Sequence, residues 1–122
     1  MKTLVIAQTQ VEGYHKWDKA PKRFEYLRNL HRHIFYITLK IEVIKSREIE
    51  FIDLKHQLEH AIETCFPKKY HKRMMKGVLF GSNSCEMIAL EILTLMQMEY
   101  PKNSIKSVSV YEDNENGAEM II

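Results

Sequence analysis

From His31 to Val43 the odd positions hold His31, His33, Phe35, Ile37, Leu39, Ile41 and Val43, while Arg32, Tyr36, Thr38, Lys40 and Glu42 fill even ones and only Ile34 breaks the alternation. A period of two sends alternate side chains to opposite faces, so this segment predicts a strand with one apolar and one wet face, in an antiparallel sheet covered on one side. Residues 3–11, with Leu4, Val5, Ile6 and Val11, predict a strand before it. Residues 12–30 read as a polar, aromatic-containing excursion broken by Gly13 and Pro21. The period then lengthens to the helical value. Phe51, Leu54, Leu58 and Ile62 make one stripe over residues 50–64, in a helix that stops before Pro67. Ile88, Ile92 and Leu95 make a second stripe, opened by Asn83 with Glu86 three residues on, as in a capping box, and closed by Tyr100-Pro101. Residues 105–112 and 118–122 read as a hairpin turned at Asn116-Gly117. The order strand, strand, helix, helix, strand, strand is that of an α+β chain. With no internal repeat, low-complexity tract or linker, residues 1–122 read as one domain.

Composition narrows the function classes. A chain of 122 residues buries a core without disulfides or a structural metal, so a bound metal is expected to serve function rather than folding. Hydrophobic residues at 45% with 4 Gly and 3 Pro exclude a disordered or fibrous chain. A net charge of +2 gives no general case for nucleic acid or an anionic membrane. No apolar run approaches a membrane span, and Gln8-Thr9-Gln10 cuts the first apolar stretch too short for a signal peptide. Cys65 and Cys85, a lone pair in a chain without an export signal, read as reduced thiols of a cytoplasmic protein.

His31 and His33 leave the same face of their strand and can converge on one ion. His15, just past the first strand, can add a third imidazole if the two strands are neighbours. Alone, His-x-His is a weak signal, and two hydrogen-bonded surface histidines give the same pattern. Other segments add weight. Val-Glu-Gly-Tyr-His at 11–15 and Leu-His-Arg-His-Ile-Phe at 30–35 resemble the two zinc motifs of the 6-pyruvoyltetrahydropterin synthase and 6-carboxy-tetrahydropterin synthase family. Glu50-Phe51-Ile52-Asp53-Leu54-Lys55 resembles the family's Asp-Phe-x-Asp-Leu-Lys, and Ser84-Cys85-Glu86-Met87-Ile88-Ala89 its Thr-x-Glu-x-x-Ala. Val108-Ser109-Val110-Tyr111-Glu112 resembles its Val-x-Val-x-Glu. The pieces occur in family order over nearly the whole chain.

The resemblance implies the tunnelling fold (T-fold): a four-stranded antiparallel sheet with two helices packed on one face, in the order β-β-α-α-β-β. It implies Zn2+ on His15, His31 and His33 with a fourth position open, acting as a Lewis acid on a pterin side chain. Glu112 is then the ligand anchor, its carboxylate accepting two hydrogen bonds from the amino and amide N–H groups of a pterin- or purine-like ring, and Glu86 a second ligand-binding residue. Glu112 also reads as a solvated strand-end residue beside Asp113, Glu115 and Glu119. A homo-oligomer, a hexamer made of two trimers, is implied as well.

Two departures bear on catalysis. The family's cysteine lies four or six residues before the paired histidines, where this chain has Leu27 and Glu25. Glu25 is the candidate base in its place, and equally one charged residue in a charged loop. The family's Leu-Asp-His relay is not recognisable, and His71, the nearest candidate, follows Lys-Lys-Tyr with no aspartate to orient it. Two function classes follow: a zinc-dependent lyase acting on dihydroneopterin triphosphate or a related dihydropterin, or a binding protein that holds such a ligand without turnover. In the first, Lys68, Lys69, Lys72, Arg73 and Lys76 form a cationic rim for the triphosphate; otherwise they are a solvated loop.

Overall fold

The alternation at His31 becomes strand β2 (His31–Val43), with Phe35, Ile37, Leu39, Ile41 and Val43 all buried and the residues between them facing outward. It pairs antiparallel along its whole length with β1 (Thr3–His15), from Thr3 opposite Val43 to His15 opposite His31. The computed structural model describes residues 1–73 and 75–122. β1 is longer than residues 3–11, because the polar stretch Glu12–His15 still has β2 to bond to. The rest of the excursion contains a short 3-10 segment, Lys22–Arg28. Hydrogen bonds from Arg28 Nε and Nη2 to the Ala20 carbonyl and from Trp17 N to the Leu27 carbonyl tie it down.

Helix α1 (Phe51–Cys65) starts one residue later than expected, because Glu50 is its N-cap and accepts from the backbone N–H groups of Ile52 and Asp53. Leu54, Leu58, Ala61 and Ile62 form its buried face, whereas Phe51, expected in that stripe, is exposed. The expected passage from helix to helix is interrupted by a hairpin of β3 (Lys69–Lys72) and β4 (Met75–Gly81). Helix α2 (Cys85–Glu99) is capped by Ser84, whose hydroxyl accepts from Met87 N; Asn83, expected there, instead donates its side-chain amide to the Phe80 carbonyl. Its buried face is Cys85, Ile88, Ala89, Ile92, Leu93 and Met96. β5 (Ile105–Glu112) and β6 (Asn116–Ile121) form the terminal hairpin, but Asn116 and Gly117 lie in β6. The turn is made by Asp113 and Asn114, both left-handed at φ 54° and 57°.

The sheet therefore has six strands in the order β3-β4-β1-β2-β5-β6, where four were expected. It is also mixed, since β4 runs parallel to β1 after the α1 crossover while the other pairs are antiparallel. The α+β class and the two helices on one face stand: α1 packs on β1 and α2, and α2 on β5 and β6. The main core lies between helices and sheet. Among the described residues, no helix is long and apolar enough to cross a membrane.

Candidate metal centre

The β1–β2 register decides where the histidines go. His15 stands opposite His31, and Gly13 opposite His33, so three imidazoles leave the helix-covered face at one end of the sheet. The β1–β4 pairing shifts register between Tyr14 and His15, an irregularity of the kind that re-aims a strand-end side chain. The ring centroids are 4.6 Å (His15 to His31), 5.4 Å (His15 to His33) and 5.1 Å (His31 to His33) apart. One ring nitrogen from each lies within 4.8 Å of the other two, close enough to hold one metal ion. Phe35 meets His15 and His33 edge-on at 5.1 and 5.7 Å and forms an apolar floor.

Each imidazole is held by a different loop. His15 Nδ1 lies 3.0 Å from the Asn83 carbonyl, His31 Nδ1 2.9 Å from the Asn29 carbonyl, and His33 Nδ1 2.7 Å from Asp113 Oδ2. All three partners can only accept at neutral pH, so Nδ1 carries a proton, and in the neutral ring Nε2 is the lone pair. That is the tautomer of a metal-binding histidine with its outer partners in place. His15 Nε2 and His33 Nε2 are buried without a hydrogen-bond partner among the described residues. Burial and the two neighbouring rings hold His31 below the ordinary histidine range, favouring the neutral ligand form over the opposing pull of the Asn29 carbonyl. The donor set and the orphaned nitrogens fit a divalent ion such as zinc.

Glu112 closes the cluster from β5. Its Oε1 lies 3.3 Å from His15 Nε2 and its Oε2 3.1 Å from His33 Nε2. Cys85, the first residue of α2, directs its thiol at Oε1 over 3.6 Å. Burial, reinforced by Glu112, pushes that thiol up to about 12, so it is a proton donor and not a nucleophile at neutral pH. The cluster opens into a cleft of about 470 Å³ walled by Trp17, Leu27, Ser84, Cys85, Glu86 and Met87.

The structure thus brings together His15, His31, His33 and Glu112, with Glu86 on the cleft wall. Glu25 is exposed on the 3-10 segment and does not line the cleft, although Leu27, at the other position where the resemblance expects a cysteine, does. His71 is exposed on β3, at the edge of the sheet, and also lies outside the cleft lining. Lys68, Lys69, Lys72, Arg73 and Lys76 are exposed around the β3–β4 hairpin. The outer partners of the histidines escaped sequence reading. Two are backbone carbonyls and carry no residue signature; Asp113 was visible only as one acid in a run of acids.

No protein-family model and no curated protein sequence matches the chain. Solved structures do match. An uncharacterized protein from Wolinella succinogenes superposes with a TM-score of 0.68 at 12% identity, over 99% of this chain and 98% of the other. The 6-pyruvoyl tetrahydropterin synthase of Caenorhabditis elegans superposes with a TM-score of 0.66 at 11% identity, over 100% of this chain and 96% of the other. At such identities the likeness is one of fold, and the chain has, end to end, the fold of 6-pyruvoyl tetrahydropterin synthase.

Proposed function

We propose that this chain is a zinc protein that holds a pterin- or purine-like heterocycle beside the metal. One observation carries the reading: three imidazoles, each with Nδ1 against an acceptor, bring one ring nitrogen apiece within 4.8 Å of the others, beside a carboxylate and a cleft that His15 and His31 help to line. Zinc held there supplies Lewis acidity toward an oxygen of the ligand. The chain's own groups do the rest. Trp17, Leu27 and Met87 offer apolar surface to the faces of a flat ring, and Glu112 and Glu86 offer acceptors to a donor-bearing edge.

Holding is favoured over turnover because the single chain gathers the binding groups and leaves Glu25 and His71, the two candidates for proton transfer, outside the cleft lining. The second reading, a lyase acting on dihydroneopterin triphosphate or a related dihydropterin, is supported by the fold shared with a synthase over the whole chain. In it Glu25 is the base, His71 its relay and the lysine-rich hairpin the phosphate rim. Metal analysis of the purified protein, followed by incubation with dihydroneopterin triphosphate and mass spectrometry, separates the two. Zinc with unchanged bound ligand supports holding; zinc with product supports the lyase. Replacing both His31 and His33 by Ala is expected to abolish metal content, and stoichiometric zinc surviving dialysis in that variant would place the site elsewhere.

We propose further that the chain assembles as a homo-oligomer, a hexamer of two trimers. The outer edges of β3 and β6 carry unpaired backbone groups, and joining edges between subunits removes them. Light scattering that shows a monomer at micromolar concentration overturns this.

A further inference from the structure

Charge is unevenly spread along the chain. Residues 16–28 hold five cations and two acids, and residues 68–76 five cations and no acid, so these 22 residues carry +8 and the other 100 carry −6 of a total of +2. Strand β4 brings the two segments together. Its Gly81 stands opposite His15 and accepts from Lys16 N at 2.8 Å, its Leu79 N donates to the Lys68 carbonyl at 3.0 Å, and Ser82, just past it, hydrogen-bonds to Asp18. By strand alternation Lys69, His71 and Lys76 share a face with the buried Val78 and Phe80, the helix-covered face from which the three histidines leave. Lys68, Lys69, Lys72, Arg73 and Lys76 are all exposed, and among the described residues none is ion-paired. None of the five lines the cleft, so a small ligand seated there does not account for them.

Aromatic rings are set among these cations. Trp17 is 48% and Tyr26 66% exposed. Trp17 stacks on Phe24 at 6.4 Å and 25°, Tyr26 meets Phe24 edge-on, and Arg23 Cζ lies 4.7 Å over the Phe24 ring. The loop is fixed rather than loose: Trp17 N bonds to the Leu27 carbonyl, Ala20 N to the Trp17 carbonyl, and Arg28 donates twice to the Ala20 carbonyl. Holding large rings in water forgoes the free energy of burying them, which a stacked ligand restores without having to order the loop. Cations alone suit any polyanion, whereas cations interleaved with exposed rings suit a polyanion whose charges alternate with flat apolar groups. We propose that residues 16–28 and the β3–β4 hairpin form a binding surface for single-stranded nucleic acid, its phosphates on the lysines and arginines and its bases on Trp17 and Tyr26. A duplex hides the faces of its bases, so the single strand is preferred. This goes beyond the heterocycle reading above and does not depend on the metal.

Trp17 is the chain's one tryptophan, so its emission reports stacking directly. A labelled single-stranded DNA of about 12 nucleotides, within the usual range of site sizes, is titrated by fluorescence anisotropy at several salt concentrations. Wild type is compared with Lys69→Gln/Lys76→Gln, Trp17→Ala and Lys55→Gln/Lys102→Gln, and circular dichroism checks that each variant is folded. Wild type is expected to bind the single strand more tightly than the same sequence as a duplex, and the strand to quench Trp17 emission. Lys69→Gln/Lys76→Gln is expected to flatten the plot of log affinity against log salt by about 1.4, at about 0.7 for each phosphate contact removed. Trp17→Ala is expected to weaken binding by about 5–150-fold and to leave the salt slope as in wild type. Lys55→Gln/Lys102→Gln removes two exposed lysines, on α1 and after α2, and is expected to change neither readout. A wild type that does not bind the strand at low salt overturns the inference. So does equal affinity for a polyglutamate peptide, or a Trp17→Ala variant that binds as wild type does, since either marks a surface that answers to charge alone. A salt slope unmoved in Lys69→Gln/Lys76→Gln, or moved equally in the Lys55→Gln/Lys102→Gln control, overturns it as well.

Discussion

Gly13→Ala reaches the candidate metal centre without touching any of its three histidines. A Cβ at residue 13 would stand 2.5 Å from Phe80 Cε2, 2.8 Å from Phe80 Cδ2 and 2.9 Å from Phe35 Cδ2. The nearest ring atom must therefore retreat by about 0.9 Å to reach an ordinary 3.4 Å contact. Neither ring has room. Phe35 is 0% and Phe80 1% exposed, their centroids are 4.7 Å apart, and Phe66 closes on Phe80 from behind at 4.9 Å. Overpacking of this kind costs about 1–3 kcal/mol. Against it, the alanine restricts the unfolded chain by about 0.4–1 kcal/mol. The clash wins, with a net loss of about 1–2 kcal/mol and a fall in Tm of about 3–10 °C for a chain of this size.

The second half of the prediction concerns function. Phe35 abuts the rings of His15 and His33, so a displaced Phe35 moves two of the proposed ligands, and zinc affinity is expected to fall by about 10–100-fold, the range for disturbing the partners that orient a ligand. Thermal denaturation of the metal-free protein at fixed concentration reads the first effect, and chelator competition the second. Phe80→Leu in the same chain should relieve the clash, so the double variant is expected to be more stable than the two single losses add up to, by about 0.5–3 kcal/mol. Unchanged Tm and zinc affinity in Gly13→Ala would refute the reasoning, as would strict additivity of the pair.

Asp113→Ala removes the acceptor of His33 Nδ1 and of Ile34 N, and is expected to weaken zinc about 10–100-fold in a chelator titration while the far-ultraviolet dichroism stays native. The Ile34 N–H, and after it His33, hold the Asp113 carboxyl below its ordinary 3.8, so what it adds to stability is complete above that value and lost as pH falls through the lower folded value. The acid limb of Tm against pH should therefore flatten in Asp113→Ala. The raised Cys85 thiol predicts that, in a Cys65→Ser background, the alkylation rate of native protein still climbs above pH 9, the ordinary thiol value, whereas the unfolded chain levels off there. A native plateau near 9 would contradict the burial assigned to Cys85.

The parts of the fold that were legible in the sequence are those whose burial is one-sided. β2 shows its alternation because every second residue from Phe35 to Val43 meets the core and the others do not. The β3–β4 hairpin escaped notice for the opposite reason. Lys69–Lys72 is an edge strand with exposed cationic side chains and a partner on one side only, so nothing in its pattern separates it from a solvated loop. β4 holds its place through a parallel pairing with β1, more than sixty residues away, a contact with no local signature. The two helices were placed within a residue or so, yet Phe51 could not be assigned by periodicity, since the stripe continues past the point where the sheet stops covering it. The terminal turn was misplaced because Asn-Gly is a strong turn pair in general. Here Gly117 is needed for a close approach to the Val110 carbonyl across the ladder, and Asp113 and Asn114 make the turn.

The same asymmetry runs through the site. The three histidines were visible as residue types at strand spacing, but what orients them was not: each ring is held by Asn29, Asn83 or Asp113, in three loops far apart in the chain. The turn displacement and the site are linked. Because the left-handed pair falls at 113 and 114 and not at 116 and 117, Asp113 accepts from His33 and Ile34, its own N–H bonds to the Ile34 carbonyl, and Glu112, one residue before, stays in the ladder opposite Phe35. A hairpin turned three residues later would extend the ladder through 113 and place that residue on the face opposite Glu112. The β5–β6 turn thus fixes both the acceptor for one imidazole and the carboxylate that faces two of them.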